Sequence, residues 1–184
     1  HFMQMSYGRF SPKLGYIKIY SFIESAIALN PNFELGFVAL AFLEFFGWDW
    51  KKGKALMDKA FSINPNHPEV LHALAYWDFY CGNLDEAVLK TKRAIDIDPL
   101  SAFPRNNLAL FYHCQRKYSK ALKSNDEFLL LYPQSSEGQR MRAQIYYAMG
   151  NFEESLILSQ QLYKIQDGYG WSSWFLALTL IKLK

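Results

Sequence analysis

Pro31, Pro65, Pro99 and Pro133 stand 34 residues apart. Each closes a similar phrase: Ala-Leu-Asn-Pro, Ser-Ile-Asn-Pro, Asp-Ile-Asp-Pro and Leu-Leu-Tyr-Pro. A fixed period of this size marks an array in which one supersecondary element recurs and stacks on its neighbours. With proline placed at position 32 of each repeat, full repeats run 34–67, 68–101, 102–135 and 136–169, with a half repeat at each end.

The aligned positions describe a helix pair. Position 8 reads Ala41, Ala75, Ala109, Ala143, and position 20 reads Gly53, Ala87, Ala121, Ser155. Small residues at two fixed places let two helices approach closely. Position 7 reads Leu40, Leu74, Leu108, Arg142, and position 17 reads Trp50, Leu84, Tyr118, Phe152. Large residues at 7, 17 and 24 are expected to fill the gap beside that contact. Helix A is predicted over positions 1–14 and helix B over 17–30. Gly82 and Gly150 fall at position 15, where a left-handed residue ends a helix. Asn83 and Asn151 follow as expected N-caps, with Glu86 and Glu154 placed to complete capping boxes. The proline disfavours helix at the residue before it and so stops helix B. Within helix B, Ala87, Val88, Thr91, Ala94 and Ile95 have helical apolar spacing.

This set, Leu74-Ala75, Gly82, Ala87, Ala94 and Pro99, resembles the tetratricopeptide repeat, and the resemblance covers nearly all of residues 12–183. It implies an all-α, right-handed solenoid of antiparallel helix pairs, about ten helices in all. Residues 12–33 resemble a helix B without its helix A, and residues 170–184 a helix A or capping helix. Residues 1–11 are expected to be a tail outside the array, with His-Phe-Met-Gln-Met reading as an artificial junction. Two repeats depart from the pattern. The first has Gly47 at position 14 and Gly53 at 20; the fourth has Arg142 at 7 and Asp167 in place of proline. The last helix carries Trp171, Trp174, Phe175, Leu176, Leu178 and Ile181, unlike the polar outer face that usually ends a solenoid. We expect either a piece of a longer protein or a homodimer formed through 170–183.

In tetratricopeptide arrays the A helices line a concave groove through positions 2, 5, 9, 12 and 13. The resemblance therefore implies a partner-binding groove carried by Phe42, Phe45, Tyr76, Phe79, Tyr80, Asn106, His113 and Arg140. Its first half is aromatic and its second half mixed polar, and aromatics with few charges characterise interface cores. A protein or peptide partner, held as a peptide or helix in the groove, is the expected ligand. The chaperone-binding members clamp a C-terminal carboxylate with Lys and Asn at set positions. Here those positions hold Val38, Phe42, Ala73, Phe103 and Asn107, so that specialisation is not expected.

Other functions find little support. Net charge is +3 and no block of five Lys or Arg occurs, which argues against direct nucleic-acid binding. The longest apolar stretch, 171–183, is too short and too broken to cross a bilayer, so no membrane association is expected. Cys81 and Cys114 lack Cys-x-x-Cys spacing and are expected to be reduced thiols in a cytoplasmic protein. His67, His72 and His113 have no ligand spacing, and no phosphate loop, nucleophile elbow or His-Glu-x-x-His motif appears. No metal, cofactor or catalytic residue is expected. Glu44 and Asp78 replace the usual aromatic at position 11, and hydrogen bonding to a neighbouring Lys, Tyr or Trp is favoured over an acid pair or metal site. The phrases Gly-Trp-Asp-Trp at 47–50 and Ile-Asp-Pro-Leu-Ser at 97–101 are similar to tetratricopeptide tails of bacterial signalling proteins. They suggest, as the alternative, a regulatory module of a transcription regulator, nucleotide cyclase or kinase.

Overall fold

The computed structural model describes residues 12–165 and 171–183. The expected tail at 1–11 and the proline replacement at Asp167 lie outside the described residues. The described residues form helices only: α1 Pro12–Leu29, α2 Glu34–Phe46, α3 Trp50–Ile63, α4 Pro68–Tyr80, α5 Leu84–Ile97, α6 Ala102–Cys114, α7 Tyr118–Leu131, α8 Ser136–Met149, α9 Phe152–Ile165 and α10 Trp171–Lys182. In the four full repeats the A helices begin at position 1 and the B helices span positions 17–30, while α1 starts earlier, at position 13. The chain separates into two bodies, one up to Leu74 and one from Ala75, with the division inside α4. In the N-terminal body α2 packs on α1 and α3; in the C-terminal body α5 to α10 pack in succession, and α6 also touches α8.

The core follows the repeat. All four alanines at position 8 are fully enclosed, as are Ala87, Ala121 and Ser155 at position 20. In the C-terminal body Ala109 and Ala121 share a cluster with Leu108, Tyr112, Met141 and Ile145, while Ala75 and Ala87 meet Phe111. Position 24 corrects the expectation of large apolar residues. It is buried in every repeat, yet only Met57 is large and apolar; the others are Thr91, Asn125 and Ser159. Two of these polar groups serve the backbone: Asn125 Nδ2 donates to Gly138 O at 3.0 Å and Ser159 Oγ to Ser155 O at 2.7 Å. The departure at Arg142 is likewise accommodated. Its guanidinium pairs with Asp126, and its Nε donates to Asn125 Oδ1 at 3.3 Å.

The A helices of the four full repeats end the same way. The residue at position 15 is left-handed in all four repeats: Trp48 at φ 69°, Gly82 at 83°, Arg116 at 58° and Gly150 at 84°. The next residue's N–H then reaches back to the carbonyl at position 11: Asp49 to Glu44, Asn83 to Asp78, Lys117 to Tyr112 and Asn151 to Tyr146, at 2.8–2.9 Å. These are Schellman caps. The first repeat therefore keeps the pattern despite Gly47, which is right-handed, because Trp48 takes the strained conformation. Capping by side chains differs from expectation. Asp49 Oδ1 accepts from Lys52 N at 3.0 Å, but Asn83 makes no side-chain cap. Glu86 leaves the capping box to pair with Lys90 at 2.9 Å. At the other end of the B helices, Asn30, Asn64 and Asp98 fold their side chains onto the N–H two residues on, an Asx turn that leads through the proline.

A non-glycine residue held left-handed costs about 1–2 kcal/mol. Arg116→Gly is therefore expected to raise stability by about 0.5–1 kcal/mol, net of glycine's greater unfolded-state entropy. Gly82→Ala, whose new Cβ would meet nothing within 4 Å, should lower it by about 1 kcal/mol through backbone strain alone. Urea denaturation of both variants checks the opposite signs.

Candidate functional site

The expected groove residues do not all present themselves to solvent. In the N-terminal body Phe45 is 8% exposed, stacked on Trp50 at 4.8 Å and edge-on to Phe46 at 5.4 Å. It is a core ring here. Phe42 is half-buried, stacks on Phe46 at 6.4 Å and lines an apolar recess with Ile19, Ile23, Ala39 and Leu43. The position-11 carboxylate of this body, Glu44, is buried and paired with Lys52 Nζ at 2.5 Å; the same ammonium donates to Tyr20 Oη at 2.9 Å. Those two hydrogen bonds, Glu44's first, push the Lys52 ammonium's pKa up. Its counterpart Asp78 pairs with Lys90 Nζ at 2.7 Å. Both acids are neutralised by lysine of the following B helix. Among the described residues no cluster of three His, Cys, Asp or Glu could hold a metal.

The C-terminal body gathers most of the expected residues. Tyr76, Phe79 and Tyr80 form one aromatic cluster around the buried ring of Phe111, with centroids 5.1–6.3 Å apart. Tyr80 is the exposed member, at 43%. Tyr76 Oη donates to Asn107 Oδ1 at 3.0 Å, tying α4 to α6. Burial pushes the Tyr76 phenol up, and Arg140 and Glu137 of α8 also act on it electrostatically. Arg140 is itself paired with Glu137. Successive A helices thus bring Tyr76, Asn107, Glu137 and Arg140 to one face.

Beside this face lies a cavity of about 530 Å³ lined by Ala102, Phe103, Asn106, Phe128, Leu131, Tyr132, Pro133, Gln134, Ser135 and Glu137. Phe103 at its mouth is 69% exposed. Asn106 presents an enclosed Oδ1 with no hydrogen-bond partner, and such an acceptor costs about 1–3 kcal/mol unless something satisfies it. The sequence reading included Asn106 but missed the wall formed by Phe128, Leu131, Tyr132 and Pro133. A signal was present. Tyr132 stands where the other proline phrases have Asn or Asp; instead of an Asx turn, its ring packs on Phe128 at 5.2 Å and its hydroxyl donates to Leu100 O.

His113 lies apart from the cavity, its ring 5.8 Å from Tyr118. Burial lowers its pKa, and its Nδ1 is enclosed without a partner. Cys81 and Cys114 are free and exposed, and the surroundings of Cys114 push its thiol up rather than toward the reactive thiolate.

No protein-family model matches the sequence, and no curated protein matches it either. Solved structures match the fold. PilW, a widely conserved type IV pilus biogenesis factor, is 17% identical with a TM-score of 0.79, over 98% of this chain and 84% of its own. A tetratricopeptide repeat protein from Parabacteroides merdae ATCC 43184 is 14% identical with a TM-score of 0.76, over 98% and 72%. A chain of the APC/C hetero-tetramer Cut9-Hcn1 is 15% identical with a TM-score of 0.80, over 90% of this chain and 33% of that one. The fold is that of the tetratricopeptide repeat.

Burial lowers the His72 pKa from 6.5 to about 4, although Glu69 Oε2 stands 3.9 Å from its Nδ1. The unfolded chain takes up this proton near pH 6.5 and the folded one only near 4. The contribution is intact above pH 6.5 and is lost as the pH falls toward 4, by about 3 kcal/mol at the end of that window. His72→Gln should flatten this part of the stability–pH curve, measured by urea denaturation from pH 7.5 to 4.

Proposed function

We propose that the chain is a protein-interaction scaffold that binds an extended peptide or helix along the A-helix face of the C-terminal body. The cavity at Phe103 and Asn106 carries this reading. An exposed ring and apolar walls form a pocket suited to one large apolar side chain. Tyr80 and Arg140 extend the same face; aromatic and arginine side chains dominate the binding energy of such surfaces. His113 is a further member of the face, and Phe42 the corresponding contact in the N-terminal body. Phe45 contributes by holding that body's fold. Similarity of fold to PilW and to the Cut9-Hcn1 assembly is consistent with a scaffold, and scaffolds of this fold ordinarily do no chemistry.

The regulatory-module reading has weaker support, because the two phrases that suggest it have local tasks. Residues 47–50 build the Schellman cap and the Asp49 N-cap, and 97–101 the Asp98 turn. Self-association through α10 remains a separate reading: Trp174 and Ile181 are exposed there, while Phe175 is buried. No helix among the described residues is long and apolar enough to cross a membrane.

A random peptide library displayed on phage, panned against the whole chain, tests the groove. Selected peptides should bind Phe103→Ala and Asn106→Ala at least ten-fold more weakly, with circular dichroism unchanged. Peptides that bind both variants as tightly as the parent would place the site elsewhere.

A further inference from the structure

Four lysines of this protein, Lys52, Lys54, Lys90 and Lys117, stand within 4 Å of a carboxylate. Lys92, Lys120 and Lys123 do not. Each is exposed, and among the described residues none has a carboxylate at ion-pair distance. Asp96 follows Lys92 and Glu127 follows Lys123 at i+4, the less favourable order for pairing because the lysine comes first. Two of the ammonium groups lean instead over one ring: Lys92 Nζ and Lys120 Nζ lie 5.9 and 5.8 Å from the centroid of Tyr112.

These groups line one recess, formed by Lys92 of α5, Leu108 and Tyr112 of α6, and Lys120, Lys123, Ser124 and Glu127 of α7. It shares no residue with the cavity at Phe103. Its floor is apolar, since Leu108 and Tyr112 are buried members of the core cluster. Its rim holds three cations and one carboxylate. Three cations against one carboxylate leave an excess of like charge, and a dianion relieves the repulsion. A phosphate monoester carries about −1.5 to −2 charges at neutral pH and offers three acceptor oxygens, which matches a rim of three cations against one anion. Lysine binds phosphate as a point charge from a flexible stem.

We propose that this recess binds a phosphate monoester, with the phosphoryl group among Lys92, Lys120 and Lys123 and its apolar carrier against Leu108 and Tyr112. The Ser124 hydroxyl at the wall is a further donor. Glu127 opposes the ligand and limits its affinity.

Phenyl phosphate titrated into the whole chain by isothermal calorimetry tests this. Saturable one-to-one binding is expected, weakened at least ten-fold in Lys120→Gln/Lys123→Gln and strengthened several-fold in Glu127→Gln. Lys164→Gln, an exposed lysine on α9, should change nothing. Lack of saturable binding, equal weakening by Lys164→Gln, or no effect of Glu127→Gln would overturn the site. Inorganic phosphate binding as tightly as phenyl phosphate would overturn the ester assignment.

Discussion

The close approach of helix A to helix B, through alanine at position 8 and a small residue at position 20, is the constraint from which the rest of the fold follows. Ala41, Ala75, Ala109 and Ala143 are without solvent exposure, and Ala87, Ala121 and Ser155 are as deeply enclosed. A side chain of one carbon lets two backbones pack at close range. The larger residues are then displaced to the flanks, where Leu108, Tyr112, Met141 and Ile145 cluster around Ala109 and Ala121. At position 24, Asn125 sits near enough to the next helix to donate to Gly138 O, and Ser159 donates to Ser155 O of its own helix, so the burial of these two is compensated.

The packing also dictates the turns. A helix pair of this geometry needs a left-handed residue after each A helix, and the chain supplies one whether or not the residue is glycine. Trp48 and Arg116 accept the strain that Gly82 and Gly150 avoid. Tertiary packing therefore overrides the local preference at two of four turns, and Schellman hydrogen bonds at positions 11 and 16 hold each turn in place. Gly138 shows the limit at a helix start: an added Cβ there would lie 2.6 Å from Leu129 Cδ2.

Period, helix limits and small-residue contacts were legible because they recur in phase, so each repeat corroborates the others. Features confined to one repeat were not. Phe45 shares position 12 with Phe79 and His113, but Trp50 of the next helix covers it, and no alignment of positions foretells that neighbour. The wall of the Phe103 cavity depends on Tyr132 replacing Asn or Asp, a change that reads as noise in a repeat alignment yet redirects a whole ring. The lysine recess was invisible for another reason. Lys92 and Lys120 belong to different helices, and only the fold brings both over Tyr112.

Two kinds of surface thus emerge from one repeating core: an A-helix face with aromatic and polar anchors, and a cationic recess floored by core side chains. Both depend on the same close packing to hold their residues. The most direct test of that dependence is the stability of Ala109→Leu, measured by urea denaturation beside Gln144→Leu, a half-buried site one repeat on. Overpacking a close helix contact costs about 1–3 kcal/mol or more, so Ala109→Leu should lose at least that much and Gln144→Leu less than about 0.5 kcal/mol, as is usual away from the core. Equal stability of the two variants would contradict the claim that the contact at positions 8 and 20 organises the fold.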